Sequence, residues 1–281
     1  MLALITSEGG MSCAYSVGTI LGLIEHYKLT NPDMVIGSSG STGTLAYYVS
    51  GQHDSIRNIW SNLLSTKELV SYRRLNRVID IDYLIDEVFG KQDKLDVDAI
   101  SKSKIDLYIG ATDFVTGESH YFSNRSGDNI LEALRASSAM PMVYGKKITV
   151  NGKRYIDGAI SANLADNIKK AKSLGADKIL AIDTINHNAS ANFVLKFYSW
   201  FCNDALKRTI NKYFETNLVN LVSTDENILL IKPSRPLKTS SLDNRREHLL
   251  DAIELGYKDI VENEKVEGFV IKNRSSARRA L

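Results

Sequence analysis

Ser39 lies in Gly37-Ser38-Ser39-Gly40-Ser41, directly after the apolar run Met34-Val35-Ile36 and before the helical stretch Thr44 to Ser50. A serine among glycines at a strand-to-helix turn is presented on a tight bend. The helix N-terminus behind it favours developing negative charge. Those are the requirements of a serine nucleophile. The stretch also has a second register, in which Ser41 is the nucleophile and Gly43 follows two residues on. Ser39 keeps a glycine two residues before it and lies nearer the strand end, which makes it the first candidate. A phosphate cradle at this turn would need the P-loop lysine, which is absent.

A serine hydroxyl needs a general base beside it. The five histidines are His26, His53, His120, His187 and His248, and none stands where a strand end calls for a base, although His187 follows the apolar run Lys178 to Ile182 closely. The carboxylates offer more. Asp157, in Arg154-Tyr155-Ile156-Asp157-Gly158-Ala159, ends an apolar run and begins a turn of small residues. There it can meet a serine hydroxyl directly, and burial would raise its proton affinity. Asp113 and Asp183 also close apolar runs and remain competitors, and a plain turn former is the alternative use of Asp157. The loop Glu8-Gly9-Gly10-Met11 supplies glycines just before a helical stretch. Backbone N–H groups freed at such a turn can hold an oxyanion; a simple strand-to-helix connection is the other reading.

These residues require a scaffold that brings strand ends together. Leu2 to Thr6, Met34 to Ile36, Leu107 to Ala111 and Lys178 to Ile182 are short apolar runs, with helical spacing between them, as in Val17, Ile20, Leu21 and Ile24. Such alternation predicts a largely parallel sheet flanked by helices, with polar residues converging past the strand C-termini. No Pro/Gly/Ser-rich linker divides the 281 residues and only four prolines occur, so one domain is expected. Its core covers about residues 1–190, a helical, lid-like portion about 191–270, and a basic tail 271–281.

Residues 193–214 gather seven aromatic side chains, among them Phe193, Phe197 and Phe201 at helical spacing, interleaved with Lys196, Lys207, Arg208 and Lys212. Two readings stay open: a helix packed on the core, or a rim that meets acyl chains or a membrane surface. Composition narrows the class further. With 43% hydrophobic and 24% charged residues the chain is that of an ordinary globular protein. A net charge of +2 argues against a dedicated nucleic-acid binder. Two cysteines cannot build a disulfide framework. No spanning segment or signal peptide is seen, which sets the expectation of a cytoplasmic protein with peripheral contact at a membrane surface.

Four separated segments together resemble one family, the patatin-like phospholipases. Glu8-Gly9-Gly10-Met11-Ser12-Cys13 is similar to the family's G-G-G-x-[RK]-G oxyanion loop, and Gly37-Ser38-Ser39-Gly40-Ser41 to its G-x-S-x-G, in the G-x-S-G-S form of the cytosolic phospholipase A2 group. Ala111-Thr112-Asp113 resembles the strand and turn before the second half. Ser137-Ser138-Ala139-Met140-Pro141 and Asp157-Gly158-Ala159 resemble the S-S-A-x-P and D-G-[GA] elements. The resemblance covers about residues 1–185 and implies a three-layer α/β/α fold with a Ser–Asp dyad and no histidine. It implies Ser39 as nucleophile, Asp157 as its activator, and the backbone of Gly9, Gly10 and Met11 as oxyanion hole, with Gly37, Ser41 and Gly158 as motif positions. It further implies lipid or acyl-ester substrates, an acyl-serine intermediate, and no metal or other cofactor for the chemistry.

This sequence departs from the family's loop in placing Glu8 at the first glycine, Ser12 at the basic position and Cys13 at the next glycine. On sequence, Glu8 adds a negative charge beside a site that must stabilise an anion. Two rivals follow. An acyltransferase would use the same acyl-serine with an alcohol as acceptor, and would show product transfer to glycerol or lysolipid. A non-catalytic lipid- or protein-binding module would bind unchanged after Ser39→Ala and resist serine-directed fluorophosphonates.

Overall fold

The computed structural model describes residues 1–74, 77–184, 195–196, 198–215 and 225–277. Eight strands form one sheet among these residues: β1 (Leu2–Thr6), β2 (Met34–Ser38), β3 (Asp106–Asp113), β4 (Ser119–Ser123), β5 (Ile148–Val150), β6 (Lys153–Ile156), β7 (Lys178–Ile182) and β8 (Ile228–Ile231). Their order is β5-β6-β3-β2-β1-β7-β8, with β4 paired to β3. The central ladder β3-β2-β1-β7-β8 is parallel, whereas β4 and β6 run antiparallel to β3, and β5 antiparallel to β6.

Helices cover both faces. In chain order they are α1 (Ala14–Glu25), α2 (Thr42–Ser50), α3 (His53–Asn58), α4 (Val97–Lys102), α5 (Ile130–Ser137), α6 (Leu164–Ser173), α7 (Asp204–Glu215), α8 (Arg246–Val261) and α9 (Glu264–Ala277). The two-residue period of a strand sends Leu2 and Leu4 of β1 into one core, with Val17 of α1, Leu45 of α2 and Ile253 of α8. Ala3 and Ile5 point the other way, onto Leu164 and Ile168 of α6. Both faces are thus buried, which explains why the parallel strands read as unbroken apolar runs. This is the three-layer α/β/α arrangement that the sequence predicts.

The C-terminal portion does more than the helical, lid-like reading expects. β8 extends the sheet beside β7, and α8 packs along α1. The helices meet backbone to backbone, since a Cβ on Gly18 would lie 1.8 Å from the Ile253 carbonyl oxygen, and one on Gly256 would lie 2.1 Å from that of Tyr15. Val266 and Val270 of α9 join the same core. Of the basic tail, residues 271–277 continue α9, and residues 278–281 lie outside the described ones. The aromatic stretch divides: Leu195, Leu206 and Ile210 bury against Ile156 and Ile160, while Trp200 and Phe201 are 75% and 74% exposed. Phe193 and Phe197 lie outside the described residues. No helix among the described residues is long and apolar enough to cross a membrane.

Candidate active site

Parallel strands β1, β2 and β7 end on one side of the sheet, and each delivers a residue there: Glu8, Ser39 and Asp183. β2 passes into α2 through a sharp turn in which Ser39 takes φ 57, a left-handed conformation that side chains other than glycine rarely adopt. Such strain costs on the order of 1–3 kcal/mol and persists where the surroundings over-determine it. Here they do. The Ser39 N–H donates to Ser137 Oγ at 2.9 Å, and Ser137 Oγ donates to the Gly110 carbonyl at 2.6 Å. Gly37 has no room for a side chain, because a Cβ there would come within 2.7 Å of Leu45.

Ser39 Oγ donates to Asp157 Oδ2 at 2.9 Å. Asp157 arrives from β6, whose antiparallel pairing with β3 sets Ile156 opposite Thr112. Its backbone is pinned twice, since Asp157 N donates to the Ala139 carbonyl at 3.0 Å and Thr112 Oγ1 to the Asp157 carbonyl at 2.7 Å. Its Oδ1 accepts from Ala159 N at 2.8 Å, which fixes the carboxyl plane. Gly158 allows this approach, as a Cβ there would lie 2.0 Å from the Gly110 carbonyl oxygen. Burial pushes the Asp157 carboxyl up to about 7, against the opposing pull of the Ala159 N–H and the Ser39 hydroxyl.

The glycine loop closes over the same turn. Gly9 and Gly10 have φ 151 and 57, and a Cβ on Gly40 would lie 2.6 Å from the Gly10 carbonyl oxygen. The N–H groups of Gly9 and Gly10 have no acceptor among the described residues. Met11 differs from expectation, for its N–H donates to the Ser241 carbonyl at 3.0 Å and is therefore engaged. The loop offers two amides rather than three.

The other candidates separate cleanly. Ser41 Oγ donates to the Ser38 carbonyl at 3.0 Å and is fully buried away from the cavity. Asp113 Oδ1 accepts from the N–H groups of Val115 and Thr116, as a turn former does. Asp183 does line the cavity. No described histidine does; His248 Nδ1 lies 2.7 Å from Asp243 Oδ2, and His187 falls outside the described residues. Among the described residues no group of three or more His, Cys, Asp or Glu is arranged to hold a metal ion.

Glu8 reverses its sequence reading. It is 4% exposed, and burial, reinforced by Asp183 and Asp157, raises its carboxyl to about 8, so it is protonated at neutral pH and adds no charge beside the glycine loop. The N–H of Glu8 itself pulls the other way, more strongly than either aspartate pushes, and that of Leu164 adds a smaller pull. Sequence reasoning missed this, as it missed the tie from Ser137 to Ser39. The one available signal for Glu8 was its position at the end of a fully apolar strand.

Ser39, Asp157, Glu8, Gly9 and Gly10 all open onto a cavity of about 320 Å³. Its far end is apolar, walled by Trp60, Leu64, Ile85, Phe89 and Leu134. Tyr213 and Phe214 of α7 complete its rim.

A three-layer fold with a serine elbow, a glycine loop and an aspartate at that turn defines a class of lipid-ester hydrolases. Residues 7–165 match the family model of the patatin-like phospholipases, and the chain belongs to that family. Lipid hydrolysis, in general terms, is the activity class that membership assigns. The chain is 24% identical over 271 residues to the uncharacterized protein YjjU of Escherichia coli K12, covering 91% of this chain and 74% of that one. Its fold is similar to that of VipD from Legionella pneumophila, with a TM-score of 0.57 at 12% identity. That match covers 92% of this chain and 66% of VipD, a little under two thirds of its length.

Proposed function

We propose that the chain is a serine lipid acyl hydrolase, in which Ser39 forms an acyl-enzyme and Asp157 is the sole base. The observation that carries this reading is the 2.9 Å hydrogen bond from the strained, buried Ser39 hydroxyl to Asp157. A carboxyl held near 7 is partly ionised at neutral pH and returns a proton readily. Asp157 Oδ2 takes the Ser39 proton as Oγ attacks the ester carbonyl carbon. The carbonyl electron pair moves to oxygen, where the Gly9 and Gly10 N–H groups receive it. As the tetrahedral adduct collapses, the alcohol leaves with the proton held by Asp157. Water then repeats the sequence on the acyl-serine, with Asp157 again as base, and releases the acid.

The apolar end of the cavity suits the acyl chain, with Trp60, Ile85 and Phe89 along it. Exposed Trp200 and Phe201, with Lys196, Lys207 and Arg208 nearby in sequence, suit contact with a lipid surface at the rim. The test is fluorophosphonate labelling followed by intact mass. The expected result is one adduct on the parent protein and on Ser41→Ala, and none on Ser39→Ala. Labelling that survives Ser39→Ala would sink the assignment.

A further inference from the structure

The turn between β3 and β4 is built against the rim. Asn203 Nδ2 donates to the carbonyls of Phe114 and Val115, at 3.3 and 3.2 Å. A Cβ on Gly117 would lie 2.7 Å from Thr209 Oγ1 of α7, so the turn runs close along that helix. Phe114 packs into the apolar cluster of Leu195, Leu206 and Ile210. Val115, the next residue, is 55% exposed and joins Trp200 and Phe201 as a third projecting apolar side chain. A buried neighbour on one side and a hydrogen-bonded carbonyl on the other fix the direction in which Val115 projects.

The β5–β6 hairpin brings charge to the same place. The Phe114 N–H donates to the Arg154 carbonyl at 2.8 Å. Lys147 Nζ lies 3.8 Å from the centre of the Phe114 ring, and the Arg154 guanidinium carbon lies 5.1 Å from it. Lys147 also reaches the rim: burial raises the Cys202 thiol, while its bond to Tyr198 and the Lys147 charge pull it down. Hairpin, turn and residues 198–203 therefore form one surface. Lys147 and Arg154 pair with no carboxylate among the described residues, and the residues outside these include no Asp or Glu. One ring thus holds two like charges close together, and an anion beside them offsets their repulsion. The acids near this face are Asp113, Glu118 and Asp204. Asp113 Oδ1 already accepts from the Val115 and Thr116 N–H groups. Glu118 lines a separate cleft with Lys169, Lys170 and Lys212. Asp204 starts α7 and is followed on that helix by exposed Lys207 and Arg208. Positive charge is in excess.

We propose that this face docks the protein on a bilayer that carries anionic lipid. Val115, Trp200 and Phe201 enter the interface, and Lys147 and Arg154 receive lipid phosphates. Apolar side chains that project beyond a cationic surface suit a bilayer, which yields to them; a rigid protein partner would need a matching recess. Leu195, in the cluster beneath them, also lines the cavity, so docking here brings the cavity to the lipid. The proposal rests on the lipid contact assigned to the rim above, and adds to it two further segments and a lipid charge.

The experiment measures co-sedimentation with vesicles of phosphatidylcholine alone and of phosphatidylcholine with about 30% phosphatidylglycerol. Binding is measured on Ser39→Ala protein, so that vesicle lipid is not consumed. Lys147→Gln with Arg154→Gln, and separately Val115→Glu, are compared with the parent. Proteins that keep Ser39 are assayed in parallel by fluorophosphonate labelling and on a soluble short-chain ester. The parent is expected to bind the mixed vesicles about tenfold or more tightly than the neutral ones, with the preference shrinking at high salt. Lys147→Gln with Arg154→Gln should lower binding to the mixed vesicles about tenfold and leave the neutral ones within twofold. Val115→Glu should weaken both, and the soluble ester should stay within twofold throughout. Equal binding of the parent to the two vesicles, or unchanged binding in the folded double variant, would overturn the proposal. A dimer that Val115→Glu dissociates, with no vesicle binding, would give the face to a second copy and overturn it too. Should the double variant fail to fold, the parent's lipid preference and Val115→Glu still decide. Absence of vesicle binding with Ser39 still labelled would sink the docking face alone. Intact vesicle binding with no labelling would sink the nucleophile and leave the docking face standing.

Discussion

The wall of the cavity made from strand ends and the rim contributed by residues 195–214 are held in different ways. Ser39 and Asp157 are each fixed by hydrogen bonds from several elements, through Ser137, Gly110, Thr112, Ala139 and Ala159. The rim rests on a small apolar cluster around Leu195, Leu206 and Ile210, and it leaves Trp200 and Phe201 facing out. Chemistry that depends on tenths of an ångström belongs on the first kind of wall. Collection of a substrate from an aggregate belongs on the second.

The largest expected effect falls on the strand-end wall. Ser39→Ala should lower ester hydrolysis by about 10⁴-fold or more, and Asp157→Asn by a similar factor, measured as kcat with melting temperature unchanged within a few degrees. An Asp157→Asn protein that is well folded and nearly fully active would place the base elsewhere, with Asp183 first in line. Next comes Gly40→Ala. Its added methyl presses on Gly10 and displaces the loop from the turn, so kcat should drop about 100-fold with modest loss of stability. Equal activity would mean that the loop amides do not serve the reaction.

The pH dependence is a smaller and sharper test. Asp157, raised to about 7, must be ionised to act, so kcat/KM should climb about tenfold from pH 6 to pH 8. Among the described residues, Asp157, Asp183, Cys13 and Tyr213 are the titratable groups that act on Glu8 or feel its charge. Because Asp157 and Glu8 both bind protons more tightly folded than unfolded, their contribution to stability is complete below about pH 4. There Asp82 and Asp243, held low by their hydrogen-bonded and cationic partners, begin to lose theirs. The contribution of Asp157 and Glu8 declines as pH rises from about 4 toward 8, by at most about 1.4 kcal/mol per pH unit for each group. Denaturant midpoints should show that decline, and Glu8→Gln should flatten it. The smallest effect on chemistry belongs to the rim. Trp200→Glu with Phe201→Glu should lower hydrolysis of vesicle-borne substrate about tenfold and leave a soluble short-chain ester within twofold. Equal loss on both, with a lower melting temperature, would show that the rim belongs to the core after all.

Much of the strand-end wall is legible in the sequence because residue type alone restricts it: glycines where backbone must bend or touch, a serine and an aspartate at the close of apolar runs. The parallel ladder is legible for the same reason, since strands buried on both faces leave continuous apolar stretches. What escapes is whatever depends on distant partners. Ser137 holds Ser39 from 98 residues away, and although Ser137 to Pro141 resembles a family element, nothing in it names Ser39 as the partner. β8 is four apolar residues, too short a run for its period to separate strand from helix even though Asp225-Glu226-Asn227 turns just before it. The charge on Glu8 is not legible because ionisation is set by burial, among groups as distant in sequence as Leu164 and Tyr213.

The crossing of α1 and α8 ties the glycine loop to a helix more than two hundred residues later. Gly10–Cys13 leads straight into α1, and α1 can sit where it does only because Gly18 and Gly256 let two backbones touch. In a random-mutagenesis screen for lost hydrolysis, substitutions at Gly18 and Gly256 should surface beside those at Ser39 and Asp157, although neither glycine lines the cavity. The yield of soluble protein will tell the two groups apart.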